Sequence, residues 1–553
     1  MVNKTALLLF LLCFSWLGNA QNTPFSVEKS ALFKDEYKQS VFVLAEKDTS
    51  GDLIFARYYE SGGLTPGDGL YIEKYGSDLK LKKEFDFKTD HPNSEKYNMI
   101  VGVFSASNII HIIEIYYDLD QKAVVCRSNN IDANFKASRK ELFSLSVKEL
   151  QDLGSFSMQQ IFFDRSKEMW SNNLSGEIKS ETDLSRPEST FPRIPFNISM
   201  VVNESKTAFA VALDIKQTKS KMLKMYLFDS NLKLKFDADL TREQKDEKYI
   251  FQNIQVAGDG NSLCFLGKSY DESLRKKETG GKYFFELIQI TASNQKILKI
   301  DPESHFIGYL KPIIRGQEIY CLGFFSDLND SNYTGICYFK TNIGLNAVEK
   351  TKFNPFSKRL ISDKYGAIKE GKKYKALTNL VFRNVSFTEN QDLYLSAEEE
   401  EITTSSSGVG VGVGSKTKLT YEYDDIISAK LNADGEVLWD RCINKNQHRS
   451  DEDNFYISYT SMVKNNALYF FINADEKVKT LNDGRIEFGQ VSKDKSNLNV
   501  LRIDASGDFD HQEILNNIDN PIPLMVSKGI VIDNVVYFLG RKGKEKQLLK
   551  ITL

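Results

Sequence analysis

The stretch Gly408 to Thr417, GVGVGVGSKT, carries the glycines and the lysine of a phosphate-cradling loop. Such a loop needs Gly directly before the Lys, so that the backbone can wrap a phosphate, and a helix afterwards whose N-terminus faces the anion. Here Ser415 precedes Lys416, and the following TYEYDDII alternates as a strand does. Both requirements fail, so alternating Val and Gly after Thr403 to Ser407 reads as a hairpin extension, a candidate binding-face loop marked by Ser407, Gly410, Gly412, Gly414 and Lys416.

Other reactive residue types give equally little support for catalysis. The five histidines (His91, His111, His305, His448 and His511) never stand at H-x-x-x-H or H-E-x-x-H spacing, and no two cysteines lie two or three residues apart, so no local metal site is expected. His111, within NIIHIIEIYY, reads as a hydrogen-bonded strand residue. DASGDFD, with Asp504, Ser506, Asp508 and Asp510, has the acids of a calcium loop but displaces the Gly and lacks the closing Glu, so a turn is expected. Glu398 to Glu401 reads as a solvated strand end. No Gly-x-Ser-x-Gly elbow occurs, and nothing calls for a cofactor. Carboxylate pairs for glycoside cleavage stay open, because such partners are distant in sequence.

Lys4, an apolar run from Ala6 to Leu17 and the small residues Gly18 and Ala20 read as a signal peptide over residues 1–20, cut between Ala20 and Gln21. Cys13 lies inside that run after Leu12, which argues for release rather than lipid anchoring; the expected localisation is periplasmic or extracellular. No later segment reaches eighteen uninterrupted apolar residues, so no integral membrane segment is expected. Beyond the signal, Cys126, Cys264, Cys321, Cys337 and Cys442 make an odd set that is no disulfide framework. Cys321 and Cys337 flank a loop centred near Asn329 and are either a disulfide across two strands or two buried thiols. Lys+Arg 72 against Asp+Glu 75 offers no electrostatic footprint for nucleic acid. Hydrophobic content of 41% and 37 Phe with 25 Tyr against 11 Pro describe a folded, sheet-forming chain.

The elements that must position any site are strands. Thr420 to Asn444, TYEYDDIISAKLNADGEVLWDRCIN, alternates on both sides of Asp434-Gly435, which reads as a two-residue turn with positive φ at both positions. The same grammar recurs at Leu70 to Phe87, Lys224 to Leu240, Phe285 to Ile300 and Leu498 to Leu515, each preceded by another pair of β-rich runs. Four strands per recurring unit is the pattern of propeller blades, which bury their faces only by stacking around an axis.

Units fall at Val41 to Phe87, Asn98 to Leu145, Pro195 to Leu240, Ile250 to Ile300, Phe306 to Phe353, Ala376 to Ile443, Phe455 to Leu515 and Ile522 to Leu553. The last holds about three strands, and the orphan Phe25 to Phe33 would complete it and close the ring. The expectation is one all-β propeller domain over residues 21–553 with eight blades, or seven if the irregular second unit is not one. Excess length sits between second and third strands, at Glu60 to Gly69, Lys216 to Lys221, Ser269 to Lys282, Glu398 to Leu419 and Asp475 to Asn497, so these insertions should crowd one side of the ring. SVKELQDL (Ser146 to Leu153) has capping-box spacing for a short helix, and residues 171–195 read as a polar connection.

NADGEVLW (Asn432 to Trp439) is similar to the DG-x-x-x-W turn of quinoprotein-type propellers and, less closely, to the Asp-box of sialidase-like ones; both are structural motifs. With its flanks it resembles uncharacterised secreted β-propeller-like proteins of Gram-negative (Bacteroidota-type) envelopes, through Tyr423, Asp425, Ile426, Asp434, Gly435, Trp439, Lys445 and Gln447. The resemblance implies secretion and propeller repeats without implying an activity. Two functions fit: a binding or scaffold module for a protein or glycan on the insertion face, or a polysaccharide- or peptide-acting hydrolase or lyase working from the central funnel.

Overall fold

Alternating apolar and polar residues make each segment a strand with two distinct faces, and short polar turns fold successive strands into antiparallel meanders. The computed structural model describes residues 24–37, 40–60, 68–88, 92–146, 148–149, 196–216, 221–242, 249–270, 283–327, 332–367, 377–388, 390–407, 416–475, 477–492 and 496–553. The chain begins with β1 (Ser26–Lys29) and β2 (Phe33–Lys34), followed by the first blade, β3 to β6 (Ser40–Lys47, Leu53–Glu60, Asp68–Tyr75, Leu81–Lys88). The second is β7 to β10 (Glu95–Ala106, Ile109–Asp118, Ala123–Ile131, Ala137–Ser146) and the third β11 to β14 (Phe196–Val202, Ala208–Lys216, Lys221–Asp229, Leu234–Arg242). The fourth is β15 to β18 (Tyr249–Val256, Leu263–Tyr270, Tyr283–Ile290, Gln295–Ile300) and the fifth β19 to β22 (Phe306–Arg315, Glu318–Ser326, Gly335–Asn342, Lys350–Pro355).

After helix α1 (Lys358–Tyr365) comes the sixth, β23 to β26 (Leu380–Phe387, Leu393–Ser407, Lys416–Leu431, Val437–Lys445), with β27 (Gln447–Ser450) added to β25. The seventh is β28 (Tyr459–Lys464), β29 (Ala467–Ala474), β32 (Asn497–Ile503) and β33 (Phe509–Leu515), with β30 (Lys479–Thr480) and β31 (Ile486–Phe488) inserted before β32. Seven four-stranded blades are thus built from successive stretches of chain. An eighth sheet closes the ring: β34 (Ile530–Ile532), β35 (Val535–Lys542) and β36 (Glu545–Thr552), with both N-terminal strands, β1 and β2, paired to β36.

Eight apolar clusters lie one at each junction between neighbouring sheets, from the first with the second blade round to the closing sheet with the first. The core is therefore a ring of inter-blade layers, as expected of sheets that cannot bury both faces alone. Closure is reinforced by charge. Arg57 on β4, 1% exposed, meets Asp35 just after β2 at 2.7 Å and Glu73 on β5 at 2.5 Å, and also donates to Ser40.

The turn between third and fourth strands differs from the expected two-residue form. Asn432 accepts the backbone N–H groups of Asp434 and Glu436 on Oδ1, and Gly435 N–H bonds to Asn432 O, with positive φ at Gly435 (+81°) but not at Asp434. This is a three-residue turn whose last residue is left-handed, and Asp132, Asp229 and Asp504 cap equivalent turns. The left-handed residue faces the preceding blade. Where it is Phe135, Leu232 or Leu345 its own side chain enters that apolar layer; where it is Gly435 or Gly507, the ring of Tyr338 or Trp439 from the preceding blade lies over it instead.

Candidate functional site

The elements outside the blade pattern converge on the sixth blade. Helix α1 was not anticipated, although Ser357 before it and Gly366 after it are cap residues flanking eight helical positions. Ser357 Oγ accepts from Leu360 N–H at 3.1 Å, Asp363 pairs with Arg441 of β26 at 2.5 Å, and Leu360 is fully buried. From the next blade, the insertion after β29 folds back so that β31 pairs in parallel with β26, Asn444 opposite Glu487 and Lys445 opposite Phe488. Arg485 of that insertion donates to the carbonyls of Asp363 (3.0 Å) and Lys364 (2.6 Å), a cation at the negative end of α1. The insertions of the sixth and seventh units thus meet, as expected of connections leaving equivalent positions of neighbouring blades.

Between them lies a cleft of about 390 Å³. Six carboxylates line it (Glu399, Glu400, Glu401, Asp424, Asp425 and Glu487) against three cations, Lys364, Lys445 and Arg485. Lys364 bridges Glu399 (2.6 Å) and Asp425 (2.5 Å). Burial alone would lower the pKa of this lysine, but the Asp425 and Glu399 carboxylates carry it above its ordinary value. Burial pushes the Glu399 and Asp424 carboxyls up, against the opposing pull of Lys364 on the first and Lys445 on the second. Glu401 is exposed and Asp424 half-buried, and neither has an ion-pair partner among the described residues.

Beneath the cleft is a sealed ionic floor. Glu398 and Lys445 are both without solvent exposure, 2.9 Å apart. Arg383 reaches Glu398 at 2.8 Å and Glu400 at 2.5 Å, and Ser458 O–H donates to Glu398 at 2.6 Å. Burial would raise Glu398, yet Lys445 and Arg383 hold it below the usual carboxylate range, while burial pulls Lys445 below that of a lysine. Ser458, Glu398 and Lys445 are residue types of a nucleophile relay, but Ser458 is 3% exposed and Lys445 2%, so no substrate atom reaches them. Their arrangement holds blades together. Gln447 does the same, donating to Asn473 O at 2.8 Å and accepting from Ser458 N–H at 3.1 Å. Tyr423, Asp425, Lys445 and Gln447, which carry the envelope-protein resemblance, therefore share one joint.

The expectation for the glutamate run is corrected here. Glu398 to Glu401 is no solvated end, since Glu398 is fully buried and Glu399 and Glu400 are ion-paired. Its spacing gave no sign of this, because the cations come from β23, α1 and β26. Ser407 and Lys416 stand opposite each other on the last rung of the long β24–β25 hairpin, whereas Gly410, Gly412 and Gly414 lie outside the described residues, as do Ala20, Gln21 and residues 171–195. Cys321 and Cys337 are free and buried; Cys337 is opposite Gly323 and Cys321 opposite Phe339, so the two are one diagonal apart rather than facing. Burial pushes the Cys321 thiol up to about 12, which makes it a weak nucleophile.

His111 is a strand residue with Nδ1 2.9 Å from Asn130 Oδ1. Asp504 caps its turn by accepting from Ser506 and Asp508 N–H, and among the described residues no group of three His, Cys, Asp or Glu is arranged to hold a metal. Glu149 and Ser146 form the reciprocal bonds of a capping box, while the rest of that expected helix lies outside the described residues. No described helix is long and apolar enough to cross a membrane.

No protein-family model matches the chain, and no curated protein matches it. Solved structures that match at low TM-score include the β-propeller domain of the Trilobed protease from Pyrococcus furiosus, at 8% identity and TM-score 0.33, covering 82% of this chain and 94% of that one. The polysaccharide lyase Uly1 is 12% identical with TM-score 0.33, covering 95% and 99%. Prolyl oligopeptidase B from Galerina marginata, in its S577A form, is 10% identical with TM-score 0.36, and this chain covers 55% of its length. At such TM-scores and identities these likenesses carry nothing about chemistry, and the propeller assignment rests on the sheet order and the ring of inter-blade layers.

Proposed function

We propose that the chain is an exported binding module, periplasmic or extracellular, that recognises a protein or glycan through the cleft and long hairpin of the sixth blade. One observation supports this above the rest: α1, the β24–β25 extension and the β30–β31 insertion, which the repeat does not need, surround a single cleft. The groups with catalytic residue types are locked in buried pairs beneath it, and the groups left over, Glu401 and Asp424, are carboxylates with no ion-pair contact among the described residues. That division suits recognition better than turnover. The signal-like first twenty residues and the envelope-protein resemblance favour export.

The test compares the full-length secreted chain with a variant in which Thr403 to Lys418 is replaced by a two-residue turn, on printed glycan and peptide arrays, with product analysis of every bound probe. The variant is expected to keep its tryptophan emission and thermal transition and to lose binding. Cleavage of a bound probe, or binding unaltered by the trimming, would overturn the proposal.

A further inference from the structure

Among the described residues, one side of the long hairpin's β24 has no paired strand directly beside the acidic cleft. β23 ends its pairing with β24 at Leu380 opposite Glu399, and Glu400 then donates its backbone N–H to Asn379 O at 3.0 Å. Beyond that point β24 continues to Ser407, paired on one side with β25, which is itself covered by β27 along Thr420 to Tyr423. Backbone polar groups alternate in direction along a strand. Because Glu400 N–H points to the β23 side, Ile402 and Thr404 direct their N–H and C=O groups there too. Among the described residues no strand lies on that side.

The open edge is not a frayed end. Ile402 and Leu419 pack against a small apolar cluster of Tyr421, Tyr423, Ile457 and Val491, which holds this part of β24 in place. Natural sheets blunt exposed edges with charge, proline or bulges, and from Glu401 onward this one offers a single charge followed by Ile-Thr-Thr-Ser-Ser-Ser. That charge, Glu401, also lines the cleft, with Asp424 nearby. Neither carboxylate has an ion-pair partner among the described residues, and at Asp424 burial disfavours the ionised form more than the pull of Lys445 favours it.

We propose that the Glu401–Thr404 edge of β24 and the adjoining cleft together receive an extended, basic segment of a partner protein, which adds a strand to the edge and places a lysine or arginine side chain between Glu401 and Asp424. The chemistry is that of strand addition: main-chain hydrogen bonds from Ile402 and Thr404 supply affinity, and the carboxylate-lined cleft supplies selectivity. A cation at Asp424 restores the ionised carboxylate that burial alone penalises. A second copy of this chain is a poorer occupant, since its own edge brings Glu401 and no compensating base.

This rests on the binding function proposed above, and it fails separately from it. The probes are immobilised decapeptides of alternating Thr and Val carrying no charge, one Lys or one Arg near one end, measured by surface plasmon resonance against the full-length secreted chain. Three proteins are compared: wild type, Glu401→Gln with Asp424→Asn, and Thr404→Pro, which removes one outward N–H without altering charge. Wild type is expected to bind the basic peptides roughly tenfold or more tightly than the neutral one, with a preference that fades as salt is raised. The doubly neutralised variant should bind all three peptides at the neutral level, and Thr404→Pro should weaken all three. Thermal melts establish that each variant is folded; if Thr404→Pro does not fold, Thr404→Gly, Ile402→Pro replaces it as the edge variant. Equal binding of neutral and basic peptides, or indifference to both substitutions, overturns the inference. Binding of a glycan but no peptide overturns it while leaving the wider function standing, and a dimer abolished by Thr404→Pro assigns the edge to a second copy instead.

Discussion

Replacing Glu398 with Gln should damage this protein more than removing the lysine it faces, and the asymmetry follows from how many partners each charge keeps. Lys445 is wholly buried, and Glu398 is the only carboxylate within ion-pair distance of its ammonium among the described residues. Glu398→Gln therefore leaves a buried cation with no carboxylate at ion-pair distance and only neutral acceptors, the Tyr423 carbonyl and the introduced amide oxygen, a defect worth about 3–5 kcal/mol. Lys445→Met instead leaves Glu398 with Arg383 at 2.8 Å and the Ser458 hydroxyl at 2.6 Å, so the carboxylate stays compensated and the cost falls to about 1–2 kcal/mol. The double variant Glu398→Gln, Lys445→Met should recover much of the loss of the first.

The pH dependence has a definite sign. Burial already holds Lys445 below its ordinary value, and loss of Glu398 lowers it further, so the folded variant binds fewer protons than the unfolded chain in the alkaline range. Its deficit relative to wild type should shrink as pH rises from 7 to about 10. Urea denaturation followed through Trp439, which is buried in the same blade, measures this directly. A Lys445→Met penalty equal to or larger than that of Glu398→Gln, or a Glu398→Gln deficit that does not change with pH, would refute the partner-counting argument.

Two further outcomes test the turn and the ring closure. Gly507 has φ +85° with Trp439 Cγ 2.8 Å from where a Cβ would stand, whereas Gly484 has φ +82° and open space; Gly507→Ala should cost well above the ~1–2 kcal/mol of left-handed strain, and Gly484→Ala about that strain alone, read as thermal shifts with a red shift of Trp439 emission in the first only. Lys546, unexposed beside Asp35 and near the cations Arg57 and Arg541, is held by burial down to about 8. Its ammonium is a burden to the folded state that is fully present below pH 8 and relieved between about 8 and 10.5, so wild-type stability should rise across that window relative to Lys546→Met, in matched urea titrations.

The local level of this molecule was legible because it depends on neighbours in sequence. Alternation at Leu70 to Phe87 or Thr420 to Asn444 marks strands wherever they pack, and polar turns at Asp132, Asp229, Asn432 and Asp504 end them through bonds reaching only four residues. Ring closure by Phe25 to Phe33 was also legible, since a unit short of one strand implies a strand to complete it. Turn type was misread at Asp434-Gly435 because Asp-Gly serves both a two-residue turn and the last two positions of a three-residue one, and only the register of the flanking strands separates them.

The candidate site belongs to the tertiary structure. Glu398, Arg383, Lys445 and Ser458 span blades six and seven, and nothing in EEEE shows that one glutamate is sealed between two cations while the last faces solvent. The Gly-Val run lies outside the described residues, and what makes the β24–β25 hairpin distinctive is the side of β24 that no described strand covers. A charge is costly or idle according to what lies within a few ångströms of it, and in a ring of blades those neighbours come from distant stretches of the chain.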